Sequence, residues 1–216
     1  MKSHVVAKSA SRRMAVLVAA LGALGLASAP AAVGQTDAAA SLYGAFTGRS
    51  TANNTVQSPS NSAGVLLELR HLSNPLVGYE LAYSFNNANQ DYSLGVIPVT
   101  LPSSGLPIPQ SVKARANQVE ANWLVSFGIA NLKAFALAGG GLKFFSTSSG
   151  QTGVNGETKP VFVYGAGLDY TVLPHVGLRF QYRGNLYRAP DLARAFTSTN
   201  RFAQTSEPML GAYVRF

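Results

Sequence analysis

The residues of this chain that could do chemistry recur at every second position. Glu68 and Arg70 alternate with Leu67 and Leu69, and Glu80 lies between Tyr79 and Leu81. Glu120, with Gln118 and Asn122 beside it, alternates with Val119, Ala121 and Trp123. Asp169 sits between Leu168 and Tyr170; Arg179, Gln181 and Arg183 interleave with Leu178, Phe180 and Tyr182; Arg215 lies between Val214 and Phe216. Carboxylates brought close together are how general acid/base sites and ion paths are built. Carboxylates brought against guanidinium groups make a salt-bridged plug instead. Other chemistries have few residues to work with. There is no cysteine, so a disulfide framework or a thiolate metal site is excluded. The histidines are His4, His71 and His175. The run Gly139–Gly140–Gly141 lacks the Gly-Lys-Ser/Thr of a phosphate-binding loop and falls inside a strand-like stretch.

A charge at every second residue among apolar neighbours is the signature of a β-strand with two unlike faces. "VGYELAYSF" is the clearest case: Val77, Tyr79, Leu81, Tyr83 and Phe85 share one face, and Gly78, Glu80, Ala82 and Ser84 share the other. The same period predicts eight strands, near 40–47, 64–71, 77–86, 114–126, 132–145, 160–171, 176–187 and 208–216. Their connections alternate long and short. The short ones, "LSNPL", "FGIAN" and "VLPH", carry turn residues, while the long ones are polar or turn-rich. Long loops at one end and tight turns at the other are the pattern of a membrane-spanning barrel, whose strands need about 9–11 residues each. In hydrocarbon every backbone donor and acceptor must be paired, so such a sheet closes on itself. The expected fold is all-β, an eight-stranded antiparallel up-and-down transmembrane β-barrel.

The first 34 residues read differently. Lys2, Lys8, Arg12 and Arg13 precede the apolar run "MAVLVAALGALGLA", and small residues follow. This is the form of a cleaved signal peptide, residues 1–34, leaving 35–216 as the barrel. Without those four charges 13 basic residues face 9 acidic ones, a net charge near +4, so the sequence pI of about 9.9 overstates the basic character. Nucleic acid is not an expected partner of an exported protein.

The signal peptide, the stretch "VYGAGLDYTVLPHVGLRFQYRGNLY" and the terminal "YVRF" resemble the small eight-stranded outer-membrane barrels of the OmpA transmembrane-domain and OmpX type. The resemblance covers about residues 40–216. It implies a bacterial outer-membrane location with both termini periplasmic, no cofactor, and a monomer contacting outer-membrane lipids, periplasmic chaperones and the barrel-assembly machinery. It also implies that Phe216, with Val214, Ala212 and Leu210 on the same face, is the assembly signal. OmpA itself continues into a peptidoglycan-binding domain, and no such anchor is expected here. Some outer-membrane barrels are enzymes with Ser-His-acid sites. His71 and His175 both fall at short turns, on the periplasmic rim and away from the outer leaflet, so no catalytic site is expected.

With apolar faces outward, Glu68, Arg70, Glu80, Glu120, Asp169, Arg179, Arg183 and Arg215 form a lumen charge network. A barrel of eight strands is just wide enough for side chains to fill it, which favours a polar plug over a pore. The fifth strand, "LKAFALAGGGLKFF", is ambiguous. Lys133 and Lys143 inward put Phe135 and Leu137 inside, unless a bulge near the triple glycine reverses the phase. Residues 87–113 read as hairpin arms, or, through Ile97, Val99, Leu101, Leu106 and Ile108, as a contact surface for a hydrophobic ligand or partner. The expected role is structural or interactive: envelope integrity, adhesion or binding of a surface ligand or host partner through the long loops. The alternative is a narrow pore or a conduit for small or hydrophobic compounds.

Overall fold

The computed structural model describes residues 34–52, 55–94, 110–147, 155–192 and 201–216; the expected signal peptide lies outside them except for Gly34. Twelve strands are present among these residues: β1 (Gln35–Thr47), β2 (Ser50–Ala52), β3 (Thr55–Pro59), β4 (Ser62–Leu72), β5 (Val77–Asn87), β6 (Gln90–Leu94), β7 (Gln110–Val112), β8 (Ala114–Ile129), β9 (Leu132–Thr147), β10 (Glu157–Leu173), β11 (Val176–Arg188) and β12 (Phe202–Arg215). Eight of them close into one antiparallel barrel in the order β1-β12-β11-β10-β9-β8-β5-β4. Closure is made by β1, which pairs with β4 on one side and with β12 on the other.

The period-two pattern builds this wall. Along β5 the burial alternates without a break, with Gly78, Glu80, Ala82 and Ser84 inside and Tyr79, Leu81 and Phe85 outside. The outer face carries Leu42, Leu67, Leu81, Trp123, Phe162, Phe180 and Leu210, a continuous apolar belt. Along β9 the odd positions stay inward throughout, and its register with β8 and β10 runs unshifted past Gly139–Gly141. Phe135 and Leu137 therefore lie inside, and no bulge reverses the phase. Phe135 is accommodated because Gly167 faces it: a Cβ there would come within 2.5 Å of the ring.

Two strands begin five or six residues before their expected starts. β1 begins at Gln35, five residues before its expected start, because Asp37 belongs to the inward face despite its polarity. β12 begins at Phe202, where Gln204 and Ser206 on the outward face and Pro208 in mid-strand had hidden the alternation. Proline has no N–H to give a ladder. The β1–β12 register runs to Tyr43↔Met209 and resumes at Phe46↔Ser206, skipping Gly44 and Ala45 opposite Pro208 and Glu207.

The short turns at 73–76, 130–131 and 174–175 share one rim with the start of β1 and the end of β12. In the first, Asn74 Oδ1 accepts the backbone N–H groups of Leu76 and Val77, both at 2.9 Å. At the opposite rim β2, β3, β6 and β7 form a second, four-stranded sheet: β6 and β7 pair as hairpin arms within 87–113, and β2 and β3 come from a polar stretch that reads as a loop. Its Gln57 and Tyr92 side chains donate to the Pro190 carbonyl, at 3.0 and 3.1 Å, and the Leu192 N–H donates to Tyr92 Oη. This clasp covers a buried apolar layer at the loop end, formed by Phe145, Val161, Val163, Tyr187, Leu192 and Ala203.

Candidate functional site

The barrel interior holds a charged layer built on alternating positions of six strands. Arg179 on β11 donates Nε to Asp169 Oδ1 at 2.7 Å and Nη2 to Asp169 Oδ2 at 3.0 Å. The same Nη2 reaches Asp37 Oδ1 on β1 at 2.9 Å. Arg70 on β4 donates to Glu80 on β5 at 2.8 Å and, across the lumen, to Asp169 at 3.3 Å. Arg183, four residues further along β11, donates to Glu68 at 2.6 Å and Glu80 at 2.9 Å, and pairs closely with Glu120 on β8. All three guanidinium groups are essentially withdrawn from solvent, as are their carboxylate partners.

Neutral donors take up the remaining carboxylate capacity. Gln181 Nε2 donates to Glu68 Oε1 and Asn122 Nδ2 to Glu80 Oε1, each at 3.0 Å, and Ser41 Oγ reaches Glu68 Oε2 at 3.3 Å. Aromatic rings complete the cage. The Arg70 guanidinium carbon lies 4.1 Å from the Phe135 ring centre, and that of Arg179 lies 5.2 Å from the centre of Tyr213. Charges this dry would be costly alone; paired and hydrogen-bonded, they brace opposite walls of the barrel. The arrangement thus links β1, β4, β5, β8, β10 and β11 through ions, and β9 and β12 through the two rings.

Of the eight charges expected in the lumen, Glu68, Arg70, Glu80, Glu120, Asp169, Arg179 and Arg183 lie together in this layer. Arg215 does not. As the penultimate residue it stands at the short-turn rim, partly exposed, with its guanidinium carbon 5.3 Å from the Tyr213 ring centre. Asp37 and Glu207 were not expected inside. Both are buried and both fall just beyond the expected ends of their strands. The alternation of Asp37, Ala39 and Ser41 with Ala38, Ala40 and Leu42 was the signal that could have found the first. Lys143 is buried too, with Nζ 4.8 Å from the centre of the Tyr187 ring.

The terminal residues Leu210, Ala212, Val214 and Phe216 all face outward, and the Phe216 N–H donates to the Thr36 carbonyl at 3.0 Å. His71 Nδ1 lies 2.9 Å from Thr36 Oγ1 and its ring rests against Tyr79; His175 is exposed, with Nδ1 near the Arg215 carbonyl. Ile97, Val99, Leu101, Leu106 and Ile108 lie outside the described residues.

Solved structures with the same architecture include Neisserial surface protein A (TM-score 0.55, 16% identity, covering 85% of this chain and 97% of that one). The outer membrane protein OprG of Pseudomonas aeruginosa matches with TM-score 0.58 and 12% identity over 85% of this chain and 96% of its own. The outer membrane protein AlkL, solved in lipid bilayers, matches with TM-score 0.52 and 14% identity over 88% and 93% of the two chains. At such identities the likeness is one of fold. No curated protein matches the chain by sequence. The family model described as the outer membrane protein beta-barrel domain matches residues 19–207, most of the chain and nearly all of the closed barrel. The chain therefore belongs to the outer membrane protein beta-barrel family and is a bacterial outer-membrane barrel.

Proposed function

We propose that this barrel is a sealed, non-enzymatic scaffold whose role is structural or interactive: envelope integrity, adhesion or surface binding through its long connections. In this reading both termini and the short turns face the periplasm, and the rim bearing β2, β3, β6 and β7 faces outward. The observation that carries it is the braced lumen. Each arginine of the charged layer spans carboxylates on different strands, and the clasp of Gln57 and Tyr92 on Pro190 lies over the apolar layer at the loop end. A side-chain filling of this kind resists both ion flow and passage of a solute, whereas a conduit needs open water or a dry channel.

The test is single-channel recording of the purified full barrel in planar bilayers. The expected trace is flat, and loosening the layer with Arg183→Ala should introduce irregular openings. Discrete, reproducible conductance steps from the unmodified protein would overturn the sealed reading in favour of a narrow pore. Uptake of a hydrophobic dye into vesicles carrying the barrel would favour the conduit.

A further inference from the structure

Asn155–Gly156 is the one place in the sequence where glycine follows asparagine. Both residues are exposed at the loop rim, and both precede β10, whose ladder with β9 starts at Glu157. The fold itself demands the glycine. A Cβ at 156 would come within 2.8 Å of the Phe145 carbonyl oxygen, so no larger residue fits without moving the β9 backbone. The other exposed asparagines among the described residues are placed differently. Asn74 is followed by Pro75, which has no N–H, and its own side chain accepts from Leu76 and Val77. After Asn87, the Ala88 N–H is held by the Ala114 carbonyl at 2.8 Å. Ser62 after Asn61 and Leu132 after Asn131 already stand in ladders.

Asn155 also stands next to the clasp. Its N–H donates to the Leu192 carbonyl at 3.2 Å, and the Asp191 N–H donates to Glu157 Oε2 at 2.7 Å. The Leu192 N–H is in turn bonded to Tyr92 Oη. Two carboxylates, Glu157 and Asp191, therefore lie close to Asn155, and Lys159 pairs with the first of them. A further negative charge at position 155 would meet like charge on both the segments that these bonds hold together.

We propose that Asn155 is a site of spontaneous deamidation in the folded barrel, and that the carboxylate so formed loosens the clasp. The Gly156 nitrogen attacks Asn155 Cγ. An N–Cγ bond forms, the Cγ–Nδ2 bond breaks, and the amide nitrogen leaves as ammonia, taking the proton of the Gly156 N–H. Water then opens the cyclic imide. Addition at Cγ gives aspartate with the backbone restored; addition at the main-chain carbonyl gives isoaspartate, in which the chain runs through the former side chain. Water is the one co-reactant. Glycine favours the first step because it has no side chain to crowd the attack and leaves the backbone free to turn. Either product adds a negative charge beside Glu157 and Asp191, and isoaspartate also lengthens the link between the Asn155 N–H and β10. This inference does not depend on the role proposed for the loops or on a closed lumen.

The test is to age the full barrel, folded in lipid vesicles, at neutral pH and physiological temperature, and to follow every asparagine by peptide mass spectrometry. Heat-modifiable gel mobility checks that the barrel stays folded. Asn155 should convert ahead of all other asparagines and give two separable products, one of which accepts label from an isoaspartyl methyltransferase. Asn155→Gln should abolish both. The consequence for the clasp is read by hydrogen exchange at the Leu192 amide in variants that need no ageing. Asn155→Asp should exchange roughly fivefold faster than the unmodified protein, the order expected of one like charge added at close range in water. Asn155→Ser, which removes the amide without adding charge, should stay within about twofold. The proposal is overturned if Asn155 remains intact in the folded barrel, if other asparagines convert first, or if the Asp variant exchanges no faster than the Ser variant. The last result would leave a modification site that does not act on the clasp.

Discussion

Arg179 and Asp169 face each other in register across β10 and β11 and make a two-point bond, Nε to Oδ1 at 2.7 Å and Nη2 to Oδ2 at 3.0 Å. Arg179 also serves Asp37, so removing it takes a guanidinium partner from Asp37 and leaves Asp169 with Arg70 alone. Arg179→Ala should destabilise the barrel by about 3–5 kcal/mol, the usual cost of leaving buried charge unpaired. Asp169→Asn should cost less, since Arg179 keeps Asp37 and Arg70 keeps Glu80. The double variant should cost less than the sum of the two. A double-mutant cycle on urea unfolding in lipid vesicles measures the coupling, and a value near zero would show that the pair does not brace the fold.

Deleting Phe216 should impair assembly more than removing any single residue from an outer connection. The residue faces outward at the closing strand, and its N–H holds the Thr36 carbonyl next to the start of β1. Without it the last rung of the β1–β12 seam is lost, on the seam that is already interrupted at Pro208. Outer-membrane levels and heat-modifiable mobility equal to those of the unmodified protein would refute this.

Ala130 opens the two-residue turn between β8 and β9 with φ of 54°. That backbone region disfavours a Cβ and is where tight hairpin turns take glycine. Ala130→Gly should therefore stabilise the barrel, by about 0.5 kcal/mol, the relief of strain outweighing the greater freedom of the unfolded chain. Equilibrium unfolding would show a higher midpoint; a lower one would mean that the strain is relieved elsewhere.

The clasp at the loop end should weaken as pH rises. Burial, with the neighbouring Glu157 carboxylate adding to it, holds the Asp191 carboxyl above its ordinary range. An acid whose folded value is raised favours the folded state in its protonated form. Its contribution is full at low pH and is lost as pH climbs from the unfolded value, about 3.9, through the folded one. Asp191→Asn should remove this loss. Hydrogen exchange at the Leu192 amide, which is bonded to Tyr92 Oη, should be slower in the variant than in the unmodified protein at pH 7 and equal at pH 3. A difference that is the same at both pH values would assign the effect to packing and not to charge. Tyr92 itself stays protonated across this range, because burial pushes its hydroxyl up to about 12.

What the sequence determined by itself is local. A period of two fixes which side chains share a face, so the eight barrel strands, the outward belt and seven of the buried charges could be read before any partner was known. Even the Asp169–Arg179 contact was legible by counting about Pro174, although the turn itself pairs Leu173 with Val176 and an irregularity between Thr171 and Leu173 brings Asp169 opposite Arg179. What only the tertiary structure decided depends on segments far apart in the chain. Asp37 is buried because β1 must close against both β4 and β12, which no local pattern reveals. Gln57, Tyr92 and Pro190 meet although the first and last are separated by 133 residues. The four-stranded sheet above the rim is likewise assembled from short, polar pieces, Ser50–Ala52, Thr55–Pro59, Gln90–Leu94 and Gln110–Val112, each too brief to announce a strand. Their pairing follows from the positions in which the closed barrel holds their ends, and a ring of strands exists only once its last strand has met its first.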